Sequence, residues 1–274
     1  MNVHSSRSSE TSAPVLLRER AGDVAILTLN RPQARNSLSE ALLIALSEAF
    51  SEIGTDKSVR AVVLAANGTA FCAGHDLKEL TARRTDADGG RAYFSQIMTV
   101  CSGMMQMIVN LPQPVTAAIQ GPASAAGCQL VASCDLAIAS TAAKFATPGV
   151  DIGLFCSTPM VALSRNVARK HAMEMLLTGE MVAADDAARI GLINRVVAAG
   201  EERQAAVALA KQIASKSSYV LKIGKQAFYR QAEMGLAAAY AFASEVMTEN
   251  MMARDAEEGI RAFIEKREPK WHDK

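Results

Sequence analysis

The chain has 274 residues, of which 50% are hydrophobic and 21% are charged, so it can bury the core of one large domain. Twenty-nine basic residues against 28 acidic ones leave a net charge of +1, which gives no reason to expect a nucleic-acid or anionic-membrane surface. The five cysteines include no CxxC pair and are predicted to be reduced, mostly buried thiols of a cytoplasmic protein. A disordered chain, a disulfide miniprotein and a strongly basic protein are therefore excluded.

No segment is predicted to cross a membrane. Residues 1–14 are rich in serine and lack the apolar core of a secretory signal, so they are predicted to form a disordered tail. Between Arg91 and Asp135 the sequence has no charged residue, but prolines and amides interrupt every apolar run before the roughly 18–20 residues that a span needs. This uncharged stretch is predicted to be buried core.

Strands and helices alternate through the first two thirds of the chain, as judged from apolar spacing and turn residues. The predicted strands are Val15–Arg20, Val24–Asn30, Val59–Ala65, Val115–Gln120 and Leu136–Ala139. One predicted helix follows a capping box over residues 37–40, a second spans Phe94 to Ile108, and a third spans Ser124–Ser133. This alternation predicts an α/β fold with parallel strand pairing.

From about Ser157 the pattern becomes helical. The predicted helices are Pro159–Leu177, Ala183–Gly191, Glu201–Ser215, Lys222–Met247 in two pieces broken near Gly235, and Ala253–Lys266, with a brief extended link over Leu192–Val197. We therefore predict an α/β core over residues 15–200 and a C-terminal helical region over 201–274. That region is too thin to form a core alone, so an oligomer is expected.

Several common catalytic signatures are absent from the sequence. It contains no GxGxxG, GxxxxGK[ST], HExxH or GxSxG motif. None of the histidines stands at metal-ligand spacing with a cysteine or a carboxylate, so no metal is expected. The four histidines are His4, His75, His171 and His272.

Two stretches rich in glycine and alanine stand out. Residues 70–80 read AFCAGHDLKEL and residues 119–130 read IQGPASAAGCQL. Small residues that enter a helix let a ligand approach closely and leave the N–H groups of the first turn free as donors. Two such turns facing one point would form an oxyanion hole, which is what the enolate of a thioester needs. Either stretch alone is also explained as a packing device.

In this order the motifs resemble the crotonase superfamily, also called the enoyl-CoA hydratase/isomerase family, from about Val15 to the C-terminus. Residues 74–78 and 147–159 are most similar to its divergent subgroup of enoyl-CoA hydratase domain-containing proteins. The resemblance implies a crotonase-type ββα spiral core with a C-terminal helical trimerisation region. It also implies a homotrimer or hexamer in fatty acid metabolism that takes a coenzyme A thioester as substrate or ligand, with no permanently bound cofactor.

The resemblance assigns roles to individual residues. The backbone N–H groups of His75 and Ala126 would hold the thioester oxygen. Lys78 and Lys266 would meet the nucleotide end of coenzyme A, although each also fits an ordinary solvated charge. The residues assigned to coenzyme A are Gln33, Ala34, Arg35, Asn36, Asp76, Leu77, Lys78, Phe263 and Lys266.

The sequence departs from the family pattern where proton transfer would occur. Family hydratases use two glutamates, one to activate water and one to handle the proton on the α-carbon. These positions correspond to Gln129 and Gly149, and neither residue has a proton to exchange. Asp151 is either a displaced base or a partner in a local hydrogen bond. The imidazole of His75 either transfers protons or turns away while its backbone N–H acts.

Three functions therefore stay open. The first is an enzyme of hydratase/isomerase type that stabilises a thioester enolate. The second is a catalytically weak or inactive acyl-CoA binding or regulatory protein, which the loss of both glutamates favours. The third is a thioester hydrolase or decarboxylase, because these reactions need fewer acids. The intact oxyanion turns favour an enzyme over a binding protein.

Overall fold

A computed structural model describes residues 13–274, so nearly all of the predicted tail lies outside the described residues. The strands are β1 Leu16–Ala21, β2 Val24–Leu29, β3 Ala61–Ala66, β4 Val115–Ile119, β5 Ala123–Ser124, β6 Leu136–Ser140, β7 Lys144–Ala146, β8 Val182–Ala183 and β9 Arg195–Val197. The first helices are α1 Glu40–Thr55, α2 Leu77–Ala82, α3 Arg91–Asn110, α4 Ala126–Ser133, α5 Pro159–Leu163 and α6 Arg169–Thr178. The later helices are α7 Ala184–Arg189, α8 Glu202–Ala214, α9 Ser218–Gln231, α10 Leu236–Met251 and α11 Arg254–Ile264.

A six-stranded sheet forms the centre of the molecule, in the order β1-β2-β3-β4-β6-β9. Strand β1 pairs antiparallel with β2, and every later pair in this sheet is parallel. All of β2 and most of β3 are buried, as expected for strands that are covered on both faces. The predicted α/β fold with parallel pairing is confirmed.

Helices cover the two faces of this sheet. Successive residues of β2 point to opposite faces, so Leu27 joins the larger core with α1, α3 and α4, while Ile26 joins a smaller core on the other side. That smaller core is closed by α8, which buries Ala206 and Ala210 at helical spacing. The first helix beyond the predicted boundary at residue 200 therefore packs on the central sheet.

Two local predictions were wrong. The helix expected over Pro159–Leu177 is two helices, and the Asn166 amide, which donates to the carbonyl oxygens of Ala132 and Ala162, lies at the break between α5 and α6. The extended link predicted over Leu192–Val197 does contain extended chain, since its last three residues form β9, which pairs with β6 at the edge of the sheet.

The second wrong prediction concerns the start of α1. Ser39, and not Ser37, is the N-cap, since the Ser39 hydroxyl accepts the Leu42 N–H. Leu38 pairs with His75 in a parallel bridge, which keeps the chain extended past Ser37 and delays the helix. The Ser37 hydroxyl instead donates to the carboxylate of Asp76.

The C-terminal helical region ends in α9, α10 and α11, and the predicted break near Gly235 is confirmed because Gly235 caps α10. No residue of α9 or α10 is buried over its whole surface, although the side chain of Lys225 in α9 is only 6% exposed. Leu236 is 77% exposed and Phe263 is 84% exposed, and Phe228, Tyr240, Met252 and Ile264 are exposed as well. No helix within residues 13–274 is long and apolar enough to cross a bilayer.

A buried ion pair fastens α9 to the core. Lys225 Nζ donates to Asp135 Oδ2 at 2.7 Å and to the carbonyl oxygens of Ile108 and Gln113. The Tyr229 hydroxyl donates to Asp135 Oδ1 at 2.9 Å. Burial lowers the pKa of Lys225, and the facing Asp135 carboxylate acts against that shift. Asp135 therefore lies at the junction of α4 and β6 in a structural role.

Asp135→Ala should destabilise the protein because it leaves a buried ammonium without its counter-charge. Breaking one partner of such a pair costs about 3–5 kcal/mol. Urea unfolding followed by circular dichroism measures the change. Arg165→Ala is the control, since Arg165 forms an exposed ion pair with Glu233, and its loss should cost about 1 kcal/mol or less. Equal losses from both variants would contradict the structural role of Asp135.

Candidate active site

The two glycine-rich stretches lie against each other. Cys72 pairs with Ala123 in a parallel bridge, and the Ser124 N–H donates to the Cys72 carbonyl oxygen at 2.9 Å. A Cβ on Gly127 would lie 2.1 Å from the same carbonyl oxygen, and a Cβ on Gly121 would lie 2.2 Å from the Thr69 carbonyl oxygen. Only glycine fits at these two positions, so the sequence itself permits the contact.

The first turn presents the backbone N–H of His75. Leu38 donates to the Gly74 carbonyl at 2.8 Å and accepts from the Asp76 N–H at 3.2 Å. In a parallel bridge of this kind, Leu38 bonds to the residues on either side of His75, so the N–H of His75 itself points away from Leu38. Within residues 13–274 the His75 N–H has no hydrogen-bond acceptor.

The second turn presents the backbone N–H of Ala126, the first residue of α4. This N–H also has no acceptor among the described residues, as is usual in the first turn of a helix. The residue before it, Ala125, has φ 50° and ψ −117°, a conformation that alanine rarely adopts. Its N–H donates to the Ala146 carbonyl oxygen at 2.9 Å, which holds the turn in place.

The two free donors are close together. The position of a Cβ on Gly74 would be 3.5 Å from the Ala126 nitrogen, and His75 is the next residue. The first turn of α4 contains no acidic residue, so the positive end of the helix dipole is not neutralised there. Two unsatisfied donors at the start of a helix can hold an oxygen that carries negative charge.

Further polar atoms without partners belong to the same segments. Gln129 is 5% exposed and Thr147 is fully buried, yet Gln129 Oε1 and Thr147 Oγ1 have no hydrogen-bond partner in the described part of the chain. Both ring nitrogens of His75 also have no hydrogen-bond partner in these residues, and burial lowers the pKa of this imidazole, which favours its neutral form. Each unpaired buried polar group costs about 1–3 kcal/mol, so these groups are candidate contacts for a polar ligand.

Gly149 lies in a tight turn where a side chain would crowd its neighbours. A Cβ at this position would be 3.0 Å from the Leu154 carbonyl oxygen and 3.1 Å from the Cys156 nitrogen. It would also be 3.0 Å from Cys156 Sγ, so a thiol lies where a side chain at position 149 would begin. Cys156 was missed by the sequence analysis, because nothing in the seven-residue separation indicates that the turn folds back.

Asp151 follows in the same turn but faces elsewhere. It is exposed, and its carboxylate lies beside Gly179 at the end of α6, where a Cβ would be 3.0 Å from Asp151 Oδ2. The predicted local hydrogen bond of its side chain is not formed within residues 13–274.

The side chains of two residues assigned to coenzyme A form hydrogen bonds within the protein. The buried Asn36 amide accepts the Arg31 N–H and donates to the carbonyl oxygens of Asn67 and Ala70, each at 2.8 Å. Burial alone would raise the pKa of Asp76, but hydrogen bonds, first of all from Arg31, outweigh it and hold the pKa below its ordinary value. Both side chains therefore shape the loop beside the first turn.

The other assigned residues are accessible or lie on the last helix. Gln33, Arg35, Leu77 and Lys78 are exposed around the first turn, and Ala34 is half-buried. Phe263 and Lys266 are exposed at the end of α11, which packs against α10. Their predicted contact with a neighbouring subunit's ligand stays a prediction. No group of three or more His, Cys, Asp or Glu side chains in residues 13–274 could hold a metal ion.

Residues 19–274 match the family model described as enoyl-CoA hydratase/isomerase. The chain is 45% identical over 261 residues to the mitochondrial enoyl-CoA hydratase domain-containing protein 3 of Rattus norvegicus, covering 95% of this chain and 85% of that protein. It is 34% identical to a putative enoyl-CoA hydratase of Thermus thermophilus, covering 93% of this chain and all of the other.

Solved structures agree with these matches. An enoyl-CoA hydratase of Mycobacterium smegmatis superimposes with a TM-score of 0.90 at 53% identity, covering 95% of this chain and all of that one. The human enoyl-CoA hydratase domain-containing protein 3 superimposes with a TM-score of 0.89 at 43% identity, covering 94% of this chain and all of that one. The chain belongs to the enoyl-CoA hydratase/isomerase family, the crotonase superfamily, within the subgroup of enoyl-CoA hydratase domain-containing proteins.

Proposed function

We propose that this protein binds an acyl-CoA or enoyl-CoA thioester and stabilises its enolate in a backbone oxyanion hole. The observation that carries this proposal is the pair of N–H groups on His75 and Ala126, which have no acceptor within residues 13–274 and lie on adjoining turns. The thioester oxygen accepts both hydrogen bonds. Its negative charge grows as the enolate forms, so the two donors stabilise the transition state more than the substrate.

Proton transfer is where this protein differs from a two-glutamate hydratase. The Gln129 amide orients a water or a substrate oxygen but exchanges no proton, and Gly149 supplies no side chain. The group left to transfer protons is the imidazole of His75, whose nitrogens have no partner in the described residues. We therefore propose a family member with weak hydratase activity.

Two alternatives remain within this proposal. A catalytically inactive acyl-CoA binding or regulatory protein is favoured by the substitution of both glutamates. A thioester hydrolase or decarboxylase is favoured by the free N–H pair, since both reactions use an oxyanion hole and need fewer acids.

The family's assembly is the second part of the proposal. A homotrimer or hexamer would cover the apolar residues of α9, α10 and α11, since soluble proteins rarely leave a contiguous patch of this kind exposed. It would also bring Phe263 and Lys266 towards a coenzyme A bound beside Lys78 of another copy.

The compartment is a separate question. A cytoplasmic location stays a prediction from the sequence, while the names of the vertebrate relatives place those proteins in mitochondria. Fractionation of cells that express the chain decides between the two.

Ala126→Pro should abolish thioester turnover or binding, because proline has no N–H to offer the thioester oxygen. Loss of one oxyanion donor typically lowers the rate about 10²–10³-fold. Ala126→Gly keeps the donor and should have a mild effect. Activity and calorimetry with acetyl-CoA measure both variants.

A ligand-side control separates loss of the donor from distortion of the turn. The wild-type protein should bind acetyl-CoA more tightly than S-ethyl-CoA, a thioether that lacks the carbonyl oxygen. Equal affinities for the two ligands, or a folded Ala126→Pro variant with normal turnover, would show that this turn is not an oxyanion hole.

The wild-type protein should hydrate crotonyl-CoA slowly or not at all. Each well-placed acid or base contributes about 10²–10⁴ to the rate, and both glutamates are substituted. Loss of the enoyl thioester absorbance measures the reaction. A rate like that of an ordinary hydratase would contradict this expectation and direct attention first to Asp151 and His75.

Gln129→Glu should recover part of the hydratase activity, because the donors are already present and a carboxylate can act as a base. Gly149→Glu is expected to fail, since its Cβ would lie 3.0 Å from the Leu154 carbonyl oxygen and must displace the turn. The two substitutions are therefore measured separately, each with an unfolding curve.

The protein should be a trimer or a dimer of trimers by size-exclusion chromatography with light scattering. Leu236→Glu should dissociate it, because it places a charge on the exposed apolar side of α10. Ile44→Glu, at an exposed apolar position on α1, is the matched control and should leave the assembly unchanged. A monomeric wild-type protein would contradict the proposed assembly.

A further inference from the structure

Each of the two substituted glutamate positions adjoins a cysteine. Cys156 Sγ lies 3.0 Å from the position that a Cβ of Gly149 would occupy, and Cys128 precedes Gln129 on α4. A charge on Cys156 would raise the pKa of Cys128. Cys72 also lies close to this segment, since a Cβ on Gly127 would be 2.1 Å from its carbonyl oxygen, but Cys72 is fully buried.

Cys156 differs from its neighbour in its surroundings. Cys156 is 6% exposed and Cys128 is 1% exposed, so Cys156 is the more accessible of these two residues. Burial raises the pKa of the Cys156 thiol, but the backbone of Gly149 acts against this shift. Burial raises the pKa of Cys128 to about 12 with no such offset.

Two unpartnered polar side chains lie in the same segments as this thiol. Thr147, two residues before Gly149, is fully buried with an unpartnered hydroxyl, and Gln129, next to Cys128, is more than nine-tenths buried with an unpartnered oxygen within residues 13–274. Polar groups in this condition are available to bind a polar ligand.

We propose that Cys156 is an acyl acceptor, whose sulfur attacks the carbonyl carbon of a CoA thioester held in the oxyanion hole. This inference rests on the proposed function of the N–H groups of His75 and Ala126. The same two donors that hold an enolate oxygen also hold the oxygen of a tetrahedral intermediate.

The reaction is a thioester exchange and needs no further reactant. A bond forms between Cys156 Sγ and the acyl carbon, and the bond from that carbon to the sulfur of coenzyme A breaks. The electron pair of the broken bond goes to the coenzyme A sulfur, which also receives the proton from Cys156. The products are S-acylated protein and free coenzyme A.

The arrangement explains why a thiol is useful without carboxylates. Hydration needs an acid and a base to move protons between water and carbon, and the two glutamate positions supply neither. Thioester exchange needs a nucleophile and an oxyanion hole, with one proton moving between two sulfurs. Later attack by water would make the protein a slow acyl-CoA hydrolase.

The experiment incubates the full-length protein with acetyl-CoA, which has no double bond to which a thiol could add. Intact mass spectrometry should show one added acetyl group with release of free coenzyme A, and peptide mapping should place the group on Cys156. Hydroxylamine should remove it, as expected of a thioester and not of an acetylated lysine. Cys156→Ala should lose this species.

Cys134→Ala is the matched control, because it removes a buried thiol elsewhere on the core and should keep full acylation. Calorimetry with acetyl-CoA on every variant separates binding from transfer. Binding without acylation, or acylation of Cys128 instead, overturns the assignment of Cys156 and leaves the oxyanion hole standing. Absence of binding overturns both proposals.

Discussion

The contact between the Cys72 carbonyl oxygen and the backbone of Gly127 is the constraint on which the site depends. A single Cβ at position 127 would lie 2.1 Å from that oxygen, so any other residue would drive the two turns apart. Their separation sets the distance between the N–H groups of His75 and Ala126. The same contact closes the larger core, because Phe71 and Cys72 are fully buried beside it. This one contact therefore affects both the packing of the core and the geometry of the site.

The backbone conformation of Ala125 depends on the structure around it. Its positive φ is unfavourable for alanine and persists because the bond to the Ala146 carbonyl fixes the backbone. Residue 146 ends β7 and leads into Thr147 and Gly149, so the strained turn connects the proposed oxyanion donor of Ala126 to the segment that contains Gly149. A change in the chain after β7 would reach the Ala126 N–H through this hydrogen bond and through the pairing of β5 with β7.

The sequence predicted what local patterns encode and missed what folding brings together. The apolar runs of β2 and β3 and the glycines of both turns are readable because burial and close approach restrict residue type directly. The Ser39 cap was missed because a bridge 37 residues away decides where α1 begins. Likewise, the Asp135–Lys225 ion pair joins residues that are 90 positions apart. Cys156 lies beside Gly149 because of a turn that no local residue pattern indicates.

The groups that line the site are uncharged, and this has a chemical consequence. Gln129 and Thr147 do not ionise near pH 7, the pKa of His75 is lowered, and the pKa of Cys156 is raised. A hydratase with two carboxylates places negative charge beside the enolate that it must form. In the proposed site Gln129 and Gly149 stand in place of these two carboxylates, so the backbone donors and the helix dipole act without repulsion from those positions. The proposed arrangement weakens proton transfer and strengthens oxyanion binding together, which favours reactions whose main barrier is charge on the thioester oxygen.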